Sequence, residues 1–192
     1  MSKQETVSFY TQGCRLNQAE TAMIEQGFEK LGFEIRPFSS GTDIVVVNTC
    51  TVTEKGDQDT RRLVNKINRA NPYSHIALVG CQAQILKDEL LKLTNVSWVI
   101  GNKEKMNLAQ IIHANTKPNE PQILVSKMNK EPFTVEHAGI DRHHTRANLK
   151  IQDGCDFFCT FCVIPFARGP ARSRVFSDIL IEARQLVEAG HQ

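Results

Sequence analysis

Along the first part of the chain, apolar positions alternate between strand-like runs and a helical period. Residues 7–11 form a short β-rich run. From Asn17 onward Ile24, Phe28 and Leu31 share one helical face. Asn17 with Glu20 three residues later matches a capping box at the start of that helix, and Gly32 supplies its stop. Asp43-Ile44-Val45-Val46-Val47-Asn48 is a continuous aliphatic run, the pattern of a parallel strand buried on both faces. A helix is expected over 54–70, with Leu63, Val64 and Ile67 inward and Asn71-Pro72 closing it. Strands are expected at 75–80 and 96–100, and helices around 83–93 and 104–115. Repeated strand–helix units of this length imply an α/β fold, a parallel Rossmann-like sheet with helices on both faces, assigned to residues 1–116.

The pattern then breaks. Residues 117–140 carry Pro118, Pro121 and Pro132 without a sustained period and read as a linker with an edge strand at 123–126. Residues 141–192 read as a second unit: a strand within RANLKIQD, a cysteine-rich loop, and a helix from an N-capping Ser177 to Gly190. One strand, one loop and one helix cannot bury a core, and a βα barrel takes about 200 residues or more. This unit is expected to be the beginning of an incomplete barrel, and the chain to be truncated.

Composition adds little to the fold but narrows the chemistry. With 41% hydrophobic and 23% charged residues the chain is foldable, and a net charge of +2 does not by itself imply a polyanion partner. The N-terminal MSKQETVSFYTQ lacks the apolar stretch of a signal peptide, and the longest aliphatic run is far too short to span a membrane. A cytoplasmic location without membrane association is expected. Thiols there stay reduced, so the six cysteines need a use other than disulfides.

Those cysteines fall into two sets of three. Cys14, Cys50 and Cys81 each follow a predicted parallel strand, so the fold would gather them at the carboxyl edge where ligand crevices form. Helix N-termini converge on that edge and favour a thiolate or an anionic cluster. Three ordinary buried cysteines remain the alternative. Cys155, Cys159 and Cys162 are compact, and thiolate ligands select zinc or iron–sulfur centres. Structural zinc would need a fourth ligand, for which His137, His143 and His144 are the candidates, and would make the chain a non-catalytic metal-binding module. A cubane 4Fe–4S cluster held by three cysteines instead leaves one iron open for a substrate or cosubstrate.

Cys155-Asp156-Phe157-Phe158-Cys159-Thr160-Phe161-Cys162 resembles the CxxxCxxC loop of radical S-adenosylmethionine enzymes. The resemblance implies a cluster whose open iron is chelated by S-adenosyl-L-methionine, reductive cleavage to a 5′-deoxyadenosyl radical, and Phe161 beside the adenine. The segments TQGCRLNQAET, VVNTCTVTEKGDQDTRR and ALVGCQAQ resemble the N-terminal domain of the methylthiotransferases. That likeness, which runs from Ser8 to Ala189, implies that Cys14, Cys50 and Cys81 hold a second 4Fe–4S cluster carrying the group to be transferred. Asn48-Thr49-Cys50-Thr51-Val52-Thr53 and Pro165-Phe166-Ala167-Arg168-Gly169-Pro170 look most like the subgroup acting on N6-threonylcarbamoyladenosine in tRNA. The subgroups acting on N6-isopentenyladenosine in tRNA and on an aspartate of a ribosomal protein are the alternatives. The implied partners are tRNA and an electron donor such as flavodoxin or ferredoxin, and the fragment alone is expected to be inactive or nearly so.

Two basic groups have plain readings beside functional ones. Arg168, Arg172 and Arg174 would contact tRNA phosphates or the cofactor carboxylate, or else be solvated loop residues. Arg61, Arg62, Lys66 and Arg69 read as a solvated helix face, and His75 and His113 are assigned no chemistry.

Overall fold

The computed structural model describes residues 4–50, 54–135 and 147–191. The zinc candidates His137, His143 and His144 lie outside the described residues. Six strands form one parallel sheet in the order β2-β1-β3-β4-β5-β6, namely β1 (Thr6–Thr11), β2 (Glu34–Ile35), β3 (Ile44–Thr49), β4 (His75–Gly80), β5 (Val96–Ile100) and β6 (Gln122–Leu124). Strand β6 is the edge strand expected near 123–126, so the sheet takes in part of the stretch read as a linker.

The helices cover both faces. Successive residues of β3 point to opposite sides: Ile44 and Val46 join one apolar cluster, Val45 and Val47 the other. The first face packs Ile24 and Phe28 of α1 (Arg15–Lys30) and Leu108 and Ile112 of α5 (Leu108–Ala114) against Val79, Trp98 and Ile100. The second packs Leu63, Val64 and Ile67 of α2 (Glu54–Ala70) against Ile76, Leu78 and Val99. Two short helices, α3 (Cys81–Ile85) and α4 (Lys87–Leu90), stand where one helix was expected around 83–93. This confirms the doubly covered α/β sheet, and the inward positions of α2 are those its period predicts.

The C-terminal unit differs more from its expectation. The strand within RANLKIQD is confined to β7 (Gln152–Asp153), which pairs antiparallel with β8 (Arg172–Ser173). Between them lie the cysteine loop and α6 (Ile164–Arg168). The last helix, α7, runs Phe176–Glu188 and its N-cap is Val175, not Ser177. Arg174, with a fully buried side chain, ties α7 to β8 through Asp178 and Glu182. Among the described residues no helix is long and apolar enough to cross a membrane.

Candidate metal centre

The first three cysteines occupy equivalent positions on adjacent strands. Cys14 is the N-cap of α1 just beyond β1, Cys50 directly follows β3, and Cys81 opens α3 directly after β4. Gly13 is what allows the first two to approach. Its φ is +90°, and a Cβ there would stand 2.5 Å from the Cys50 Cβ and 2.6 Å from its Sγ. Cys14 and Cys50 both line an open cleft of about 900 Å³ at the carboxyl edge, with Tyr10, Gly13, Arg62 and Lys66 among its walls. Cys81 lies one strand further along the edge and is buried.

Each outer thiol is met by an asparagine. Asn17 Oδ1 is 3.8 Å from the Cys14 Sγ, while its Nδ2 donates to the carbonyls of Gln12 and Thr49, 2.9 and 3.1 Å away. Asn17 therefore braces the two turns that carry Cys14 and Cys50. Asn102 Nδ2 lies 3.8 Å from the Cys81 Sγ and donates to the Ala167 carbonyl at 2.6 Å.

The compact trio sits on a tight, outward-facing loop. Cys159 is exposed, Cys155 and Cys162 are half-buried, and Phe157, Phe158 and Phe161 point largely to solvent, Phe161 at 90%. Phe158 has a φ of +47°, an uncommon left-handed conformation for a bulky residue. The loop is closed at its base where the Cys155 amide donates to the Gly169 carbonyl at 3.1 Å. Gly154, at φ +76°, passes so close to Pro170 that a Cβ would fall 2.1 Å from its carbonyl oxygen.

Beneath both trios runs a buried ionic layer that the sequence reading missed. Glu20, wholly inaccessible, accepts from Lys105 at 2.5 Å, from Lys150 at 2.7 Å, and from Arg168 at 3.1 and 3.2 Å. Asp153 accepts from Lys150 at 2.8 Å, Arg168 at 3.0 Å and Arg172 at 3.2 Å. Lys150 and Arg172 also lie over the Phe133 ring, 5.1 and 5.6 Å from its centroid. Desolvation would raise the Glu20 carboxyl, but Lys105, Lys150 and Arg168 outweigh it and hold the group well below the ordinary range. Burial pushes the Lys105 ammonium below its usual range, with Glu20 opposing that shift. Burial works to lower the Arg168 guanidinium, but Glu20, through charge and hydrogen bond, and the nearby Cys81 and Asp153 together raise it above its usual value.

These contacts correct two expectations. Asn17 and Glu20 do not form a capping box: α1 begins at Arg15, its cap makes no side-chain bond, and both residues face inward. Arg168, Arg172 and Arg174 are neither solvated nor open to phosphates, being buried against carboxylates. The signal for Glu20 was present in the sequence, since counting back from Ile24 and Phe28 by four places it on the apolar face. Arg61, Arg62, Lys66 and Arg69 are exposed as expected, and Arg61 and Arg62 pair with Glu89 and Asp59. His75 contacts Ser97 Oγ through Nδ1 at 2.8 Å, and His113 packs edge-on to Phe33.

Among the described residues no three His, Cys, Asp or Glu side chains are drawn close enough to share one metal ion. In donor chemistry both trios nonetheless suit a thiophilic centre. None of the six cysteines is in a disulfide, and the Gly13 cradle leaves the Cys50 thiol the space a side chain would fill.

Residues 6–101 match the family described as uncharacterized protein family UPF0004. The chain belongs to that family. It is 40% identical over 97% of its length to a Bacillus subtilis protein named threonylcarbamoyladenosine tRNA methylthiotransferase MtaB, covering 42% of that relative. The protein of the same name from Thermotoga maritima is 32% identical over 98% of the chain, again across 42% of the relative. A Prochlorococcus marinus protein named ribosomal protein uS12 methylthiotransferase RimO is 29% identical over 99% of the chain and 42% of the relative. The chain thus spans about two fifths of the length of these relatives.

Proposed function

We propose that this chain is part of a radical S-adenosylmethionine enzyme that transfers a methylthio group to C2 of N6-threonylcarbamoyladenosine next to the anticodon of tRNA. The observation that carries the substrate choice is the 40% identity, over 97% of the chain, to a relative named for that reaction. In this reading Cys155, Cys159 and Cys162 hold one 4Fe–4S cluster, and Cys14, Cys50 and Cys81 hold a second. Bound together, the clusters and S-adenosyl-L-methionine supply the radical and the methylthio group.

The chain's own residues provide the mounting. The exposed Phe161 ring is available to stack on the adenine of S-adenosyl-L-methionine, and the outward turn of the loop keeps the cosubstrate's approach open. The cleft beside Cys14 and Cys50 gives the second site access to substrate, with Arg62 and Lys66 at its wall. Flavodoxin or ferredoxin is the class of electron donor this chemistry requires, in a cytoplasmic setting.

Mass spectrometry of tRNA nucleosides from cells lacking the gene tests the reading. Loss of the 2-methylthio-threonylcarbamoyl nucleoside is expected. Its persistence would overturn the tRNA assignment. The weaker similarity to the RimO relative makes the ribosomal protein uS12 the next substrate to examine.

A further inference from the structure

We propose that Arg168 is a positioning residue: its buried guanidinium locks the CxxxCxxC segment onto the carboxyl edge of the sheet and so fixes the two cysteine trios relative to each other. The geometry of the lock stands by itself, and its meaning for two clusters rests on the function proposed above.

Arg168 ends α6, a short distance beyond Cys162. One nitrogen, Nη1, donates to Glu20 Oε1 at 3.1 Å and Asp153 Oδ1 at 3.0 Å. The other, Nη2, donates to Asn17 Oδ1 at 2.8 Å and Glu20 Oε2 at 3.2 Å. A single planar group therefore reaches α1 on one side and β7 on the other. Asn17 is the residue that meets the Cys14 thiol and braces the Cys50 turn. The carbonyl preceding Arg168, that of Ala167, is held by Asn102, which also meets the Cys81 thiol. Lys105 closes the circuit by donating to both Asn102 Oδ1 at 2.7 Å and Glu20. At the loop's end, Asp153 lies two residues before Cys155.

Apolar packing alone does not explain this docking, although Ala167 and Pro165 of α6 are buried. Among the described residues the three apolar clusters include none beyond Val135. The segment carrying the compact trio meets the sheet chiefly through directional charged contacts. Such contacts specify one placement, because every alternative strands a buried charge. Lysine could not replace the arginine, since a point ammonium cannot serve Asn17, Glu20 and Asp153 together as a planar fork does. Glu20 and Asp153 are outnumbered by Lys105, Lys150, Arg168 and Arg172, so the layer is net positive. A field of that sign, which Lys105 and Arg168 bring to bear on Cys81, favours an anionic bound group at that edge.

The test is amide hydrogen exchange of the whole chain, comparing the parent with R168Q, R168K and N102A. R168Q is expected to speed exchange at least tenfold over 150–174 and the first turn of α1, leaving β3 and β4 unchanged. R168K keeps the charge without the fork and should recover less than half of that protection. N102A releases the Ala167 carbonyl while Lys105 keeps Glu20, and should loosen 164–169 about threefold. After anaerobic reconstitution with iron and sulfide, spin–spin broadening between the reduced clusters should fall in R168Q at unchanged iron content. Unchanged local exchange in both R168Q and N102A would overturn the lock. So would full rescue by R168K, or a loss in R168Q spread evenly through β3 and β4 with none in N102A. Iron uptake by the parent chain tests the two-cluster reading separately.

Discussion

Cys14, Cys50 and Cys81 hang from the ends of three neighbouring strands with an apolar interior, whereas Cys155, Cys159 and Cys162 lie within one short loop that meets the rest of the protein through buried charge. The first mounting is made by the sheet itself. Strands β1, β3 and β4 are paired in register, so the spacing of the thiols follows from backbone hydrogen bonds and is reinforced by side chains on both faces. The second mounting depends on a few charged groups whose partners come from α1, from the turn before α5 and from β7. Apolar burial is nondirectional and indifferent to pH, while an ionic seam is directional and answers to the protonation of its members.

The largest effect expected is on iron content. Replacing Cys155, Cys159 and Cys162 together by Ala, or Cys14, Cys50 and Cys81 together, should each lower reconstituted iron from about eight to about four per chain. Loss of all iron from either triple variant would mean that the two trios are not independent sites. Next, Glu20→Gln and Leu78→Ala should separate the two mountings. Glu20→Gln strands buried cations, costing about 3–5 kcal/mol, and its exchange signature should stay at the seam. Leu78→Ala removes a fully buried side chain for about 2–5 kcal/mol, read as a lowered urea midpoint for the sheet.

Gly13→Ala comes third. The left-handed backbone and the overlap with Cys50 should cost about 1–3 kcal/mol, and iron should be lost from the sheet-edge trio only. Acid should reveal the seam more gently. The Glu20 carboxyl is depressed in the folded chain, facing Lys105, Lys150 and Arg168, so its stabilisation is complete above the ordinary value of 4.5. That stabilisation fades as pH falls below 4.5 through the folded value. Exchange measured across this range should show 150–174 loosening while β3 and β4 stay protected. The smallest effect belongs to Arg62→Ala with Lys66→Ala, exposed residues whose removal should change stability by no more than about 0.5 kcal/mol.

Much of the sheet was legible from local pattern. The aliphatic run at 44–47 and the strands at 75–80 and 96–100 stand where continuous hydrophobicity placed them, and Leu63, Val64 and Ile67 face inward. The two-residue strand β2 was too short to carry a period, and β7 shrank because it has only the equally short β8 to pair with. Asn17 and Glu20 were misread because a capping box and a buried polar pair have the same spacing. Only the packing partners tell them apart.

The amino-acid sequence alone determined the α/β class, the strand-end position of Cys14, Cys50 and Cys81, and the grouping of Cys155, Cys159 and Cys162. Each of these depends on residues close together in the chain or on strand order that hydrophobic period dictates. Tertiary structure alone decided that Glu20, Lys105, Lys150 and Arg168 meet in one buried layer, more than a hundred residues separating the first from the last. A charge looks the same in sequence whether solvated or buried. Its partner, and therefore its role, exists only once distant segments have been folded into contact.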